Sequence, residues 1–139
     1  MTGLHTTLLG TQGPTQGPLV VFLHGLFGQG RNWTQVGRAI AADHRVLLVD
    51  LPHHGRSPWA DSFDYVAIAD EVAGLLEEPA TLVGHSMGGK VAMLVALRHP
   101  EVVERLCVVD MSPVDYPQAR EFAGYVSAMK AMDLDAIRT

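Results

Sequence analysis

Short runs of apolar residues alternate along this chain with longer segments in which apolar residues recur every three or four positions. Four of the runs are apolar throughout rather than at alternate positions, which is typical of strands buried on both faces of a sheet. These runs are Leu19–Leu23, 46–49, 81–83 and 106–109. A weaker run, Thr6–Leu9, is expected to form an edge strand before them.

Helical periodicity marks the segments between the strands. One apolar stripe consists of Val66, Ala69, Val72, Ala73 and Leu76. A second consists of Val91, Leu94 and Val95, and ends before Pro100 because a proline disfavours helix at the residue before it. A third begins near Gln118 and contains Phe122, Tyr125, Val126, Met129 and Met132. Alternation of strands and helices predicts an α/β fold, a mainly parallel sheet with helices on both faces.

Composition narrows the class of protein. The chain has 139 residues and a net charge of −5, with fifteen Asp and Glu against ten Lys and Arg. An acidic chain without a basic cluster does not favour nucleic acid or an anionic membrane as a partner. No apolar run is long enough to span a bilayer and no signal peptide is visible, so we expect a cytoplasmic protein. The single cysteine, Cys107, lies in an apolar run and is expected to be buried and inert.

The strongest chemical signal is Gly84-His-Ser86-Met-Gly88, which lies between a predicted strand and a predicted helix. Gly-x-Ser-x-Gly in this context is the pattern of a nucleophile elbow. The glycines allow the tight turn that lifts the serine hydroxyl clear of the sheet. The turn also places Ser86 at a helix N-terminus, where the Met87 N–H is expected to face any oxyanion that forms beside the serine.

A second motif, His24-Gly25-Leu26-Phe27-Gly28, follows the strand Leu19–Leu23. Acyl transfer needs a second oxyanion donor from a neighbouring strand end, and glycine allows that backbone to approach closely. We expect the Leu26 N–H to be this donor, with the Phe27 N–H as the alternative. A plain turn between a strand and a helix is the competing interpretation.

Other patterns point to cofactors only weakly. His53 and His54 are adjacent, so their side chains diverge and a hydrogen-bonded turn is favoured over a metal site. The segment 84–91 resembles a phosphate-binding loop, but Val91 stands where a Mg²⁺-binding hydroxyl is required. The segment 25–30 resembles a dinucleotide-binding turn, but Trp33 stands at the position of its third glycine. We therefore expect neither a metal nor a cofactor.

The motifs occur in the order found in α/β-hydrolases, and the chain resembles the small bacterial YbfF-type esterases and their mitochondrial abhydrolase-domain relatives. The motifs that carry the resemblance are His24-Gly-Leu-Phe-Gly28, Asp50-x-x-x-His54-Gly-x-Ser57, Gly84-His-Ser-Met-Gly-Gly-Lys90 and Asp110-Met-Ser-Pro-Val114. The resemblance implies hydrolysis of small carboxylic esters or acyl-CoA thioesters by a serine, an acid and a histidine.

Carried over by position, the resemblance makes Ser86 the nucleophile and Met87 and Leu26 the donors of the oxyanion hole. His24, Gly25 and Phe27 belong to the loop that would bind the oxyanion and substrate. Asp110 is a candidate acid, because some members keep the acid at the end of the strand that follows the nucleophile.

One part of the family pattern has no counterpart in this chain. Members continue through a helical cap, two further strands and a loop that carries the catalytic histidine, and none of the seven histidines here occupies that position. We therefore expect residues 1–116 to form the N-terminal portion of the hydrolase core and residues 117–139 to begin the cap. The hydrolase would be inactive as this chain alone. The alternative is a non-catalytic or split-chain subunit that binds a complementary C-terminal segment or associates with itself.

Overall fold

The computed structural model describes residues 3–10, 17–116 and 120–136, and in this part of the chain a five-stranded sheet forms the centre of the fold. The strands are β1 (Thr6–Leu9), β2 (Leu19–Leu23), β3 (Arg45–Val49), β4 (Ala80–His85) and β5 (Val103–Val109). Their order across the sheet is β1-β3-β2-β4-β5. β1 pairs antiparallel with β3, and the other three pairings are parallel. The predicted α/β class with a mainly parallel sheet is confirmed.

The helices follow the strands. They are α1 (Thr34–Ile40), which continues from a 3-10 turn at Gly30–Trp33, α2 (Tyr65–Ala73), α3 (Met87–Arg98) and α4 (Arg120–Lys130). Short 3-10 turns occupy Pro100–Val102 and Leu134–Ala136. α2 begins where the Asp64 carboxylate accepts hydrogen bonds from the N–H groups of Val66 and Ala67, at 2.7 and 3.1 Å. A side-chain cap of this kind satisfies backbone donors that the helix itself leaves without partners.

Hydrophobic side chains form a core on each face of the sheet. On one face α2 and α3 bury Val21, Leu23, Leu82, Val91 and Val95. On the other face the region around α1 covers Val20, Phe22, Val46 and Leu48, with Trp33 packed against them. Full burial of one such side chain contributes about 1.5–3 kcal/mol, so these two layers hold β2, β3 and β4 in place.

The inward face of α2 differs in one position from the predicted stripe. Val66 is 40% exposed, whereas Ile68 is buried together with Ala69 and Val72. Val66 lies in the first turn beside the Asp64 cap, and the residues that point inward are those at 68, 69 and 72. The helix itself is confirmed, but the prediction that Val66 belongs to the buried stripe is wrong.

β5 departs further from expectation, because five of its seven residues are exposed. Leu106 is 41% exposed and Cys107 is exposed as well. The prediction of a strand buried on both faces, with a buried cysteine, is therefore wrong. Within the described ranges β5 pairs only with β4, and α3 is the one helix there that packs substantially against it. An apolar run predicts a strand whose side chains can be buried. Whether they are buried depends on another element packing against that strand.

α4 confirms the third helical stripe, and its apolar side chains are also exposed. They are Phe122, Tyr125, Val126 and Met129, followed by Met132 just beyond the helix. The predicted start near Gln118 and the predicted boundary between 116 and 117 fall at residues 117–119, which lie outside the described residues. The division into a core and a cap stays a prediction. In the described part of the chain no helix is long and apolar enough to cross a membrane.

Candidate active site

Ser86 occupies a strained turn between β4 and α3. Its backbone angles are φ 50° and ψ −116°, and a non-glycine residue at positive φ costs roughly 1–3 kcal/mol. A Cβ atom at Gly84 would collide with the backbone of Gly88, and one at Gly88 would lie 2.5 Å from the Leu23 carbonyl oxygen. Both positions therefore need glycine because of close backbone approach, as the Gly-x-Ser-x-Gly pattern predicts.

Backbone hydrogen bonds hold this turn from two sides. The Ser86 N–H donates to the Val109 carbonyl at 3.0 Å, which ties the turn to the end of β5. The Ser86 carbonyl accepts the Gly89 N–H at 2.9 Å, which ties it to the first turn of α3. Met87 is the first residue of α3, and its N–H is among those that have no acceptor within the helix. That N–H can therefore serve as an oxyanion donor.

The loop after β2 lies directly beside this turn, because β2 and β4 are neighbours and Leu23 pairs with Gly84. A Cβ atom on Gly25 would lie only 3.4 Å from the Ser86 Cβ. The loop closes as a turn in which the Gly28 N–H donates to the Gly25 carbonyl at 2.9 Å. Phe27 takes the third position of this turn at φ 62°, where glycine is usual. We call residues 25–28 the oxyanion turn.

Two N–H groups of the oxyanion turn differ in what they bind. The Phe27 N–H donates to His54 Nε2 at 3.3 Å, so it already has an acceptor. The Leu26 N–H is the candidate that remains in this turn for an oxyanion. The side chain of Phe27 is 50% exposed, and its ring centroid lies 6.5 Å from that of Phe122 on α4.

His24 lies on the buried side of the oxyanion turn and is 1% exposed. Its Nδ1 lies 2.8 Å from the Gly25 carbonyl oxygen, and its Nε2 accepts the Leu51 N–H at 3.0 Å. Burial lowers the pKa of His24, the hydrogen bond to Gly25 opposes that shift, and His54 adds to it while Asp50 opposes it. The buried ring is thus held between the backbone of the loop after β2 and the backbone of the loop after β3. His24 therefore lies beneath the loop that the sequence predicts to bind the oxyanion and substrate.

The motif from Asp50 to Ser57 folds on itself. Asp50 is 6% exposed, and its carboxylate accepts the Gly30 N–H at 2.6 Å and the Arg56 N–H at 2.8 Å. The Ser57 hydroxyl donates to the Asp50 carbonyl. Each carboxylate oxygen therefore fixes a different loop. No cluster of three or more metal-ligating side chains occurs in the residues that the structure describes.

Asp110 follows β5 at the sheet edge that also carries Ser86. His85 pairs with Val109, so Ser86 and Asp110 come next on two neighbouring parallel strands. Asp110 is exposed and has φ 54°, so like Ser86 and Phe27 it is a non-glycine residue at positive φ. Strained residues of this kind cluster at functional sites. The structure brings Ser86 and Asp110 to adjacent strand ends.

Four of the seven histidines have partners other than Ser86. His99 contacts the Asp70 carboxylate at 2.7 Å, and the ring of His53 packs against Trp59 and Phe63. His24 and His54 bind backbone groups of the two loops. Within the described residues no histidine ring is hydrogen-bonded to the Ser86 hydroxyl.

A cavity of about 490 Å³ opens beside the oxyanion turn, within the size range of small-molecule sites. Besides residues 24–28 it is lined by Asn32, Trp33, Val36 and His85. His85, the neighbour of Ser86, contacts Trp33 edge to face, with 6.5 Å between ring centroids. Ser86 itself does not line this cavity.

Sequence reasoning missed that His54 binds the oxyanion turn. The motif placed His54 in a loop after β3, but its ring reaches the loop after β2. The signal that was present is that β2 and β3 both end in histidine-containing loops, and neighbouring parallel strands bring such loops to one edge.

A parallel sheet with a strained serine between strand and helix, next to a glycine turn from the neighbouring strand, defines the class of α/β hydrolases. The chain belongs to the alpha/beta hydrolase family, whose model matches residues 20–138. This confirms the family predicted from the four motifs.

Several known proteins are similar to this chain. The sn-1-specific diacylglycerol lipase ABHD11 of Mus musculus is 46% identical over 123 residues, which cover 84% of this chain and 40% of the relative. Esterase YbfF of Escherichia coli K12 is 33% identical over 120 residues, or 82% of this chain and 47% of that protein. The solved structure of a marine microorganism esterase has a TM-score of 0.90 at 31% identity and covers 100% of this chain, which spans 55% of it. The chain thus spans about half the length of these relatives, or less.

Proposed function

We propose that Ser86 is the nucleophile of a hydrolase that acts on small carboxylic esters or acyl thioesters. The observation that carries this proposal is the backbone of Ser86, which is held at φ 50° at the N-terminus of α3 with Gly25 close by. Strain at one serine is retained only where the surrounding structure enforces it, and such positions cluster at active sites. Similarity to proteins named as esterases and lipases supports the same assignment.

In the proposed reaction the Ser86 hydroxyl oxygen attacks the carbonyl carbon of the substrate, and its proton passes to a base. The oxyanion that forms accepts hydrogen bonds from the N–H groups of Met87 and Leu26. Collapse of this intermediate expels an alcohol or a thiol, which takes up the proton and leaves an acyl-serine. Water then attacks the acyl-serine and releases the carboxylic acid.

Asp110 is the proposed acid that orients the base. It follows β5 at the strand end next to Ser86, and in triads of this kind a carboxylate holds the histidine in the correct tautomer and orientation. The base itself would be a histidine supplied from outside the described residues, because no described histidine ring is hydrogen-bonded to the Ser86 hydroxyl. This is why we propose that the 139-residue chain does not turn over substrate by itself.

Covalent labelling tests the assignment of Ser86. An activated fluorophosphonate is expected to modify Ser86 slowly, because oxyanion donors stabilise the adduct even without a base. Peptide mass spectrometry locates the adduct, Ser86→Ala abolishes it, and Ser112→Ala serves as a control for a nearby exposed serine. A folded sample that is labelled only at other residues would rule out Ser86 as the nucleophile.

A second function is proposed on the exposed apolar surface of β5 and α4. Leu106 and Val109 on β5, and Phe122 and Tyr125 on α4, are each at least 36% exposed. A strand edge of this kind pairs readily with another chain. The protein would then act as a split-chain subunit that binds a complementary C-terminal segment or a second copy.

Native mass spectrometry of the purified protein distinguishes these cases. A second polypeptide that co-purifies with the chain, or a dimer, supports the split-chain function. A monomer that remains monomeric at high concentration contradicts it. Fluorophosphonate labelling of the same sample then tests whether the serine proposal holds independently.

A further inference from the structure

Two histidine rings connect the loops after β2 and β3 in opposite directions. His24 belongs to the loop after β2 and accepts the Leu51 N–H from the loop after β3, at 3.0 Å. His54 belongs to the loop after β3 and accepts the Phe27 N–H from the loop after β2, at 3.3 Å. The rings lie 5.1 Å apart between centroids. We call this pair the histidine brace.

The hydrogen bonds determine where each ring carries its proton. A backbone N–H can only donate, so each Nε2 must be an unprotonated acceptor. A backbone carbonyl can only accept, and Nδ1 of His24 faces the Gly25 carbonyl at 2.8 Å while Nδ1 of His54 faces the Pro52 carbonyl at 2.9 Å. Both rings are therefore neutral and protonated on Nδ1. A second proton on either ring would place an N–H donor against another donor.

We propose that His24 and His54 are positioning residues, which hold the oxyanion turn in shape for Ser86 only as neutral rings protonated on Nδ1. The proposal rests on the proposed function of Ser86 and adds the side chains that hold the oxyanion turn, whose Gly25 lies close to Ser86. Binding of the Phe27 N–H by His54 fixes Phe27 at its positive φ, and this leaves the Leu26 N–H for the oxyanion.

Charges around the brace act in known directions. His24 faces two titratable groups, His54 and Asp50, and His54 faces the ring of His24. Burial and the neighbouring His54 lower the pKa of His24, so its neutral form is favoured in the folded protein. The neutral His24 ring therefore favours the folded state above the ordinary histidine pKa of 6.5, and this contribution is lost as the pH falls below that value toward the lowered pKa of His24.

The state of the rings can be measured on the unmodified chain. Long-range ¹H–¹⁵N correlation spectra at pH 7.5 are expected to show His24 and His54 protonated on Nδ1, although free imidazole side chains prefer Nε2. His54→Gln removes one signal and assigns it, and His53→Asn is the matched control in the same loop. A proton on Nε2 of either His24 or His54 would overturn the proposal.

Labelling of Ser86 by a fluorophosphonate reports on the oxyanion turn. His54→Ala removes the acceptor of the Phe27 N–H, and we expect the rate of adduct formation at pH 7.5 to fall about tenfold, the effect of one lost hydrogen bond. In His54→Gln the amide oxygen can accept the same N–H, so we expect this variant to keep most of the wild-type rate.

Each combination of results decides between the two proposals. Nδ1 tautomers with no Ser86 adduct in any variant would refute the proposed nucleophile. A Ser86 adduct that forms in His54→Ala at the wild-type rate would refute the brace as a positioning element. His53→Asn should match the wild type in both experiments, because its ring contacts Trp59 and Phe63 rather than the oxyanion turn.

Discussion

The strand ends of β2 and β3 and those of β4 and β5 form two halves of one sheet edge, and they are stabilised differently. In the first half, His24 and Asp50 are buried and bind backbone groups of both loops. In the second half, one backbone hydrogen bond ties Ser86 to the Val109 carbonyl at the end of β5, and Asp110 is exposed. The half that contains residues 25–28 is thus braced from within the described residues, whereas the half that contains Ser86 and Asp110 leaves polar and apolar surface uncovered.

The difference shows which features of the proposed site local packing alone can form. Backbone donors and a strained serine need only local packing, which the glycines at 84 and 88 and the layers of α2 and α3 supply. No described histidine ring is hydrogen-bonded to the Ser86 hydroxyl, so the proposed base would have to be supplied separately.

The largest expected effect of a substitution is at Asp110, measured in a complex of this chain with a segment that supplies the base and restores hydrolysis. Asp110→Asn keeps the shape of the side chain and removes the charge that would orient a histidine base. If Asp110 is the acid, we expect kcat to fall by roughly ten-thousandfold, as in other triads. Steady-state kinetics measures the change, and a loss below about tenfold would return Asp110 to a structural role at the strand end.

Gly88→Ala should break the serine turn. The new Cβ would lie 2.5 Å from the Leu23 carbonyl oxygen and 2.6 Å from that of His24, and neither backbone can move freely. We expect the free energy of unfolding to fall by roughly 3 kcal/mol and labelling of Ser86 to be lost.

Gly124→Ala is the matched control in a second helix. Nothing lies within 4 Å of the added Cβ, and alanine favours helix over glycine by up to about 1 kcal/mol. Thermal unfolding should therefore show little change or a slight gain. Equal loss of stability in the two variants would contradict the difference in packing between α3 and α4.

A charge on β5 should reduce association of the chain. Leu106→Lys places an ammonium group on the exposed strand, and charged edge residues oppose pairing with another chain. We expect the dissociation constant for self-association, measured by analytical ultracentrifugation, to rise about tenfold. Leu97→Lys, on an α3 side chain that is 78% exposed, should leave it unchanged. Similar effects of both substitutions would show that β5 is not the contact surface.

The smallest effect concerns an ion pair at the end of α3 that lies away from Ser86. Hydrogen bonds from Arg98 and then His99 lower the pKa of Asp70 from 3.8 to about 2. Folding favours the carboxylate, so its stabilising effect is present above 3.8 and is lost as the pH falls to about 2. Melting temperatures of wild type and Asp70→Asn should converge over that interval. A constant difference between them would contradict this linkage.

The strands and the serine turn could be predicted because their causes are local. Continuous apolar runs located β2 and β3, and the two glycines around Ser86 indicated a backbone that side chains would obstruct. The exposure of β5 could not be predicted, because hydropathy does not say whether a neighbour covers the strand.

The histidine brace could not be predicted for a different reason. Its hydrogen bonds join His54 to Phe27 and His24 to Leu51, each pair 27 residues apart in the chain. Which ring nitrogen faces which backbone group depends on how the two loops meet at the sheet edge. The positive φ of Phe27 was hidden as well, since a bulky residue seldom marks such a turn.

The central claim is that Ser86 belongs to a site whose base is not among the described residues. The most direct test is steady-state hydrolysis of p-nitrophenyl acetate by the purified 139-residue chain, compared with Ser86→Ala. Without a histidine base, kcat should be lower than in a complete serine hydrolase by on the order of a millionfold. The 139-residue chain and its Ser86→Ala variant should therefore be indistinguishable. A monodisperse monomer with multiple turnovers that Ser86→Ala abolishes would contradict the claim, and would mean that one of the seven histidines in the chain is the base.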